Sequence, residues 1–461
     1  MSISKFFHLT EYKTKVSTEV FAGVTIFFAM AYILAVNPAV LGDAGMPVGA
    51  VYLATVIATV VGCLLLGLFA NVPLAQSASL GLNTFFAYSV VSYLGFTWQE
   101  ALSMVFICGI LSLVITMTKL RTYLISSIPK ILRTAIGCGI GLFIAYLGFK
   151  NVNFIEMSGG APAVNWAGLA SDPVLWLFLI GLVVTIILAV LKVKGAFLIS
   201  IIATTLIGLI PVFGVTSIDT SISITEAFTQ LPETLGVVFT SASIPSLFAD
   251  PTRIPFIILT ILLFAFLDLF NTIGTIIGAG RETNLFSDEE IAAMKTGKRF
   301  RTRTERALIA DAAATTVGAV VGTSNITTFV ESAAGIGAGG RTGLTAVVTA
   351  LCFAACILLV PFATVVPGAA TAPVLILVGI MMLKPITELE WHKPEVAIPC
   401  FFSAIFMAFC YNITDGIAAG FLTYTLIKIC KREIKEVHPS VWVVTALFVA
   451  YGILCALFAG G

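Results

Sequence analysis

Charge is scarce in this sequence. Of its 461 residues only 11% are charged and 59% are hydrophobic, with a mean hydropathy of +1.06, whereas a soluble domain carries about 25% charged residues. The scarcity excludes an ordinary water-soluble fold and describes a polytopic membrane protein. The 25 Lys+Arg and 24 Asp+Glu leave a net charge of +1, so no nucleic-acid or acidic partner is expected. Histidine is nearly missing. His8, His392 and His438 fall near membrane-segment ends, and there is no zinc motif, Ser/His pair or catalytic dyad, so no intramembrane enzyme is expected. The nine cysteines include no CxxC pair or His-rich neighbourhood, which argues against a metal site, a metal cofactor or disulfides. Only Cys352 and Cys356 share a helix face, as small buried hydrophobes do. No cleavable leader is expected either: the first apolar run, residues 20–36, continues into more membrane sequence without a small-residue cleavage site.

Long apolar runs are what the chain has instead. About 20 apolar residues cross a bilayer, and candidate spans fall at residues 18–40, 48–70, 78–94, 100–117, 131–149, 173–191 and 195–213. A polar stretch, residues 214–253, precedes a second group at 254–280, 306–322, 325–337, 343–361, 367–383, 395–410, 412–429 and 440–458. Basic residues keep one parity if every span crosses: Lys5, Lys13 and Lys15; Lys119, Arg121, Lys130 and Arg133; Lys192 and Lys194; the run from Lys295 to Arg306; Arg341, Lys384 and Lys393; and Lys428 to Lys435. Positive-inside logic makes that side the cytoplasm and places the N-terminus there.

These are fifteen candidates where seven plus seven would make fourteen, so either the last segment is peripheral or two short neighbours form one element. An odd number of spans per half forces opposite orientations, the signature of an inverted repeat. The expected fold is therefore all-α, with about 14 transmembrane helices in two inverted seven-span repeats, residues 1–215 and 254–461, joined by an extracellular connector, 216–253. Two segments at corresponding places are interrupted, residues 76–88 and 322–335. In transporters such a pair marks the substrate site, because broken helices aim N-terminal dipoles and free backbone groups inward.

The second interrupted stretch, GTSNITTFVESAAGIGAGGRTG (residues 322–343), holds one acid, Glu331, among small and polar residues. A membrane acid costs roughly 2.5 to 3.5 kcal/mol on insertion scales, so such residues usually face a substrate or ion path. Its carboxylate can accept two hydrogen bonds from a ring edge, with Thr327, Thr328 and Ser332 supplying hydroxyls. The first stretch, AQSASLGLNTFFAYSVV, offers the amide of Asn83 with Phe85, Phe86 and Tyr88 beside it; a capping Asn and simple aromatic packing is the bland alternative. FLDLFNTIGTIIG sets Asp268 and Asn271 three residues apart on one helix face. In mid-span a proton can neutralise Asp268, which makes it a candidate coupling group. Asp311, read as near the cytoplasmic end of its span, and Asp415, near the outer end of another, fit structural roles.

At these motifs the chain resembles the AzgA-like purine permeases, a branch of the nucleobase-cation symporter 2 (nucleobase/ascorbate, xanthine/uracil permease) transporters, over nearly its whole length. SASLGLNTFF is similar to the family's third-span APGMGLNAFF, FLDLFNTIGTIIG to its eighth-span FVDLFDTVGTLIG, and GTSNITTFVESAAG to its tenth-span GTSTTTSYVESAAG; GGRTGLT (residues 339–345) and YNITDGI (residues 411–417) match as well. The resemblance implies a core domain from spans within 16–117 and 254–361, a gate domain from the remaining spans, homodimers and elevator-like alternating access. It also implies a base held between the broken spans by Glu331 and Asn83, proton coupling through Asp268, and a functional role for Asp415. There are two departures: Asn271 stands where the family usually carries a second acid, and Ala78, Ser79 and Leu80 replace Pro, Gly (or Ser) and Met.

The reading these features support is a proton-coupled importer of purine bases, hypoxanthine and guanine or adenine, in the cell membrane. Its expected substrate-binding residues are Glu331, Asn83, Asp268, Phe85, Thr328 and Ser332, with Asp268, Glu331 and Asp415 in proton coupling. The alternatives are an anion transporter or channel of the same architecture, and a membrane receptor that binds purine without moving it.

Overall fold

The computed structural model describes residues 3–118, 129–158, 161–216, 222–283, 285–286, 302–363 and 365–458. Among the described residues eight helices are long and apolar enough to cross a membrane, with shorter apolar helices between them. The first half runs α1 (Val16–Met30), α2 (Ile33–Gly42), α3 (Val48–Leu64), β1 (Gln76–Ala78), α4 (Leu80–Thr84), α5 (Trp98–Met117) and α6 (Lys130–Asn151). A small hairpin, β2 (Ile155–Ser158) and β3 (Ala161–Val164), leads to α7 (Pro173–Val190) and α8 (Ala196–Gly208). Helices α1 and α2 are one span bent at Ala31 and Tyr32. Helix α3 ends in a π-helical turn, Leu65–Ala70, and α4 continues as a π-helix, Phe85–Tyr93.

After the connector helix α9 (Ile224–Thr234), the second half runs α10 (Ile254–Thr283), α11 (Arg303–Val321), β4 (Ile326–Thr328), α12 (Ser332–Gly337), α13 (Gly343–Ala355), α14 (Gly368–Met382), α15 (Pro394–Phe409), α16 (Ile413–Cys430) and α17 (Pro439–Phe458). Packing repeats between the halves. The span α1 lies against α13 as α10 lies against α5; α3 against α13 as α11 against α5; α7 against α14 as α15 against α6. These pairings relate the halves as inverted repeats. Helix α17 packs on α16 and buries Val441, Val444 and Phe448.

Two buried acids fix the ends of this arrangement. Glu19 in α1 is fully buried and accepts from the backbone amides of Arg341 (2.9 Å) and Thr342 (3.2 Å) and from the Thr345 hydroxyl (2.6 Å). It is an anion at the N-terminus of α13, where unpaired amides and the helix dipole favour negative charge. This explains the GGRTGLT motif: a Cβ on Gly343 would lie 1.9 Å from the Gly67 carbonyl oxygen, so only glycine lets α13 start this close to the end of the α3 span. Glu100, in a capping box with Thr97 on α5, accepts from Ser246 (2.9 Å) and lies 3.5 Å from the Arg253 guanidinium, tying the connector down. Gly322, at φ 105, ends α11 against Thr234 of α9.

Replacing Glu19 by Ala leaves three buried donors without their acceptor, a cost of about 3 kcal/mol or more. The expected result is a melting temperature lower by at least about 5 °C in detergent or nanodiscs, with Glu19→Gln in between because it keeps one acceptor oxygen. An unchanged transition for Glu19→Ala would contradict this role.

Candidate functional site

Both interrupted spans break in the same way. Strands β1 and β4 pair antiparallel in the middle of the protein, Gln76 opposite Thr328, Ser77 opposite Thr327 and Ala78 opposite Ile326. The ladder extends through Ser79 N to Asn325 O (3.0 Å) and Phe329 N to Ala75 O (2.9 Å). A half-helix follows each strand, so the N-termini of α4 and α12 both start beside the crossing. Each strand satisfies the backbone groups the other cannot bond within a helix, which is what makes non-helical chain tolerable at membrane depth. The expected irregular backbone is thus a two-stranded crossing, all six of whose paired residues are buried.

Around it the acids sort into two kinds. Glu331 is half-buried at the start of α12, its Oε1 accepting from the Tyr32 hydroxyl at 2.8 Å, and next to it Val330 is 57% exposed. Tyr32 sits at the bend of the first span and meets the Phe197 ring of α8 edge-on at 5.4 Å. Glu331 is therefore a partly exposed carboxylate with acceptor capacity beyond the Tyr32 bond. Asp268 and Asp311 lie behind the strands, 1% and 4% exposed. Asp311 is not near the end of its span but the ninth residue of the 19-residue α11. Its Oδ1 accepts from Gln76 Nε2 (3.0 Å) and from the Thr328 amide (3.0 Å) and hydroxyl (3.1 Å), and its Oδ2 from Thr272 (2.7 Å). It anchors both strands to α10 and α11, a role hidden from a one-dimensional reading because its partners are scattered from residue 76 to residue 328.

Asp268 is much less provided for. Thr315 Oγ1 lies 3.4 Å from its Oδ2 but 2.9 Å from the Ile326 carbonyl oxygen, and Asp268 Oδ1 has no partner within hydrogen-bond geometry among the described residues. One hydroxyl hydrogen serves one acceptor well, and the shorter contact is to Ile326. Thr272 from α10 reaches Asp311 while Thr315 from α11 reaches Asp268, so the two helices exchange Asp–Thr pairs one turn apart.

The remaining expected site residues are placed as follows. Asn83 is fully buried; its Nδ2 donates to Asn37 Oδ1 and its Oδ1 accepts from the Ser324 hydroxyl, while Asn37 donates to Thr55 (2.7 Å) and Thr323 (3.0 Å). This polar chain joins four spans. Phe85 is fully buried, packed edge-on against Phe264 at 4.7 Å. The Thr328 hydroxyl is held by Asp311, and Ser332 Oγ accepts from the Ala75 amide at 3.0 Å. Asp415 lies in the first turn of α16, outside the crossing, where a carboxylate complements the helix dipole. Asn271 is exposed and donates to Ser79 Oγ (3.3 Å) and Thr327 Oγ1 (3.1 Å). Two of the positions that depart from the purine-permease motifs, Asn271 and Ser79, are thus bonded to each other beside the start of α4.

Residues 17–419 match the Xan_ur_permease family, described as a permease family. The chain belongs to this family. Its relatives include the guanine/hypoxanthine permease PbuO of Bacillus subtilis, 37% identical over 448 residues, covering 96% of this chain and 98% of the relative. The adenine permease AdeP of Escherichia coli is 35% identical, covering 97% and 95%. Among solved structures, the transmembrane domain of the cyanobacterial bicarbonate transporter BicA superposes with a TM-score of 0.61 at 16% identity, covering 87% of this chain and 96% of that one. SLC26A9 gives 0.61 at 12% identity, covering 91% and 67%. These likenesses establish the fold of a multi-pass membrane permease built from inverted repeats.

Proposed function

We propose that this permease carries purine nucleobases across the membrane, driven by protons. The observation that carries the reading is Glu331: a carboxylate with unused acceptor capacity, at a half-helix N-terminus beside the strand crossing, half-open while the protein's other central acids are sealed. A planar base presenting N–H groups to it satisfies such a carboxylate. The relatives named for guanine/hypoxanthine and adenine transport support this cargo. Asn271 contributes the free face of its amide, and Asn83, Phe85, Thr328 and Ser332 hold the half-helices so that Glu331 stays aimed.

Coupling falls to Asp268. A proton on its Oδ2 would be donated to Thr315 Oγ1, which then donates to the Ile326 carbonyl, linking protonation to the strand that leads into Glu331. The core domain in this reading comprises the spans within 16–117 and 254–361 and moves against a gate domain of the remaining spans, with the basic loops on the cytoplasmic side. The solved anion carriers share the fold, but a negative Glu331 at the site disfavours an anion as cargo.

Binding of radiolabelled hypoxanthine to the purified permease, competed by guanine, adenine, xanthine and uracil, tests the cargo. Displacement by purines and not by uracil supports the reading; chloride-dependent current in a protein that binds no purine opposes it. Asn271→Asp adds a test of the site. A protonated Asp can donate to a hydroxyl as the amide does, while an ionised one puts a second negative charge on the site. Purine affinity is expected to fall by about fivefold or more as pH rises through the carboxyl's titration, whereas the parent changes less over the same range. Equal pH profiles would remove Asn271 from the site.

A further inference from the structure

At the end of the molecule opposite the basic loops, one small cluster joins helices that the alternating-access reading requires to move apart. Asp43 follows α2, and Tyr88 lies in the π-helix after α4. The Tyr88 hydroxyl donates to Asp43 Oδ2 at 2.6 Å. Asn151, the last residue of α6, donates from Nδ2 to the Tyr88 hydroxyl oxygen at 3.1 Å and to Asp43 Oδ2 at 3.5 Å. Beside them the amide of Ile413, which opens α16, donates to Ser89 Oγ at 3.1 Å. All three of these Asn151 and Ile413 bonds run between the spans within 16–117 and the helices α6 and α16.

Tyr411 closes the cluster. It is a non-glycine residue at φ 56, in the turn between α15 and α16, a backbone region that bulky side chains rarely occupy and that needs surrounding support. That support is aromatic and cationic: the rings of Tyr88 (5.5 Å), Phe143 (5.6 Å) and Tyr146 (6.3 Å) surround it, and Lys150 Nζ sits 3.4 Å above its centroid. Of these partners Tyr88 alone lies across the boundary, Phe143, Tyr146 and Lys150 belonging to α6 on the same side as Tyr411, so opening the boundary removes one wall of the strained residue's packing.

We propose that Asp43, Tyr88 and Asn151, with Tyr411 packed against them, form a latch that fastens the two groups of helices at this end and releases once in each transport cycle. The inference rests on the alternating-access reading, and goes beyond it in naming the contacts that hold one state. Asn151 is exposed and Tyr88 loses only its hydroxyl in Tyr88→Phe, so both positions can be changed without emptying the core.

The test reads motion without any substrate. Spin labels at Ser92 and Glu156, both exposed and one on each side of the latch, are introduced with the native cysteines replaced, and their separation is measured by pulsed electron resonance in nanodiscs. Tyr88→Phe combined with Asn151→Ala should raise the ratio of long-distance to short-distance populations by about fivefold or more, the shift that losing such hydrogen bonds gives a two-state equilibrium. An unchanged distribution overturns the proposal. As a second measurement, Asp43→Cys with Asn151→Cys is cross-linked and then reduced. Uptake should fall more than about tenfold on cross-linking and return on reduction, as when a binding-competent state becomes inaccessible; full uptake by the cross-linked protein overturns the latch equally. If the permease carried no purine at all, the uptake arm would fail in the parent while the distance measurement would still decide.

Discussion

Replacing Glu331 with Gln is expected to weaken purine binding by roughly 10- to 100-fold at unchanged membrane levels. The carboxylate offers two charged acceptor oxygens to the base, and hydrogen bonds to a charged group contribute about 1.5 to 3 kcal/mol, which is one to two decades in affinity. Glutamine has nearly the same volume and keeps one acceptor, so the Tyr32 hydroxyl retains a partner and the start of α12 should not move. The loss would therefore report charge and not collapse. Measured as displacement of labelled base from the purified protein, a Gln variant that binds as tightly as the parent would remove Glu331 from the site. Tyr32→Phe is the companion: it removes the hydroxyl that donates to Glu331 and should change affinity far less than Glu331→Gln.

The second large effect is expected at Asp268. In Asp268→Asn the amide can donate to Thr315 Oγ1 as a protonated carboxyl would, so the variant is fixed in the likeness of the protonated state. Exchange of internal for external base should survive, because exchange needs no net proton movement. Uphill accumulation should not. A gradient of about one pH unit supplies about 1.4 kcal/mol per proton, enough for about tenfold accumulation at one proton per base; the Asn variant is expected to stop near equal concentrations inside and out. Proteoliposomes assayed for counterflow and for gradient-driven uptake separate the two outcomes. Undiminished accumulation would take Asp268 out of coupling. Asp311, by contrast, is saturated with four donors, and Asp311→Asn should be felt mainly as lost stability of the strand crossing.

Much of this architecture was written in local features of the chain. Apolar runs of about 20 residues located most spans, and the interruptions at residues 76–88, with Gln76, Ser77, Ser79 and Asn83, and 322–335, with Glu331 among small and polar residues, located the two breaks, because neither pattern suits a lipid-facing helix. What the sequence could not display is pairing across distance. Gln76 meets Thr328 and Tyr32 meets Glu331 across some 250 to 300 positions, and no periodicity carries that information. The same holds for Glu19, whose partners Arg341, Thr342 and Thr345 lie in another span. A run beginning near residue 18 hides it as one acid at the start of a helix. Asp311 was misplaced toward the end of its span because the basic residues ahead of it look like a loop, whereas α11 already begins at Arg303, whose guanidinium donates to the carbonyl oxygens of Asn71 and Arg341. The signal that could have found it is chemical: an acid in mid-helix among Ala and Thr, in a segment too apolar to carry one without a partner.

Asn83 illustrates the limit from the other side. The motif draws attention to its amide, but only the fold shows that both amide atoms are taken by Asn37 and Ser324.

Proton-driven purine transport is tested most directly by uptake of radiolabelled hypoxanthine, guanine and adenine into proteoliposomes with an inward proton gradient, repeated after an uncoupler collapses it. The expected result is accumulation of at least one of these bases above the external concentration, abolished by the uncoupler. Uptake that is indifferent to the gradient, or none of the three bases entering parent vesicles, would contradict it.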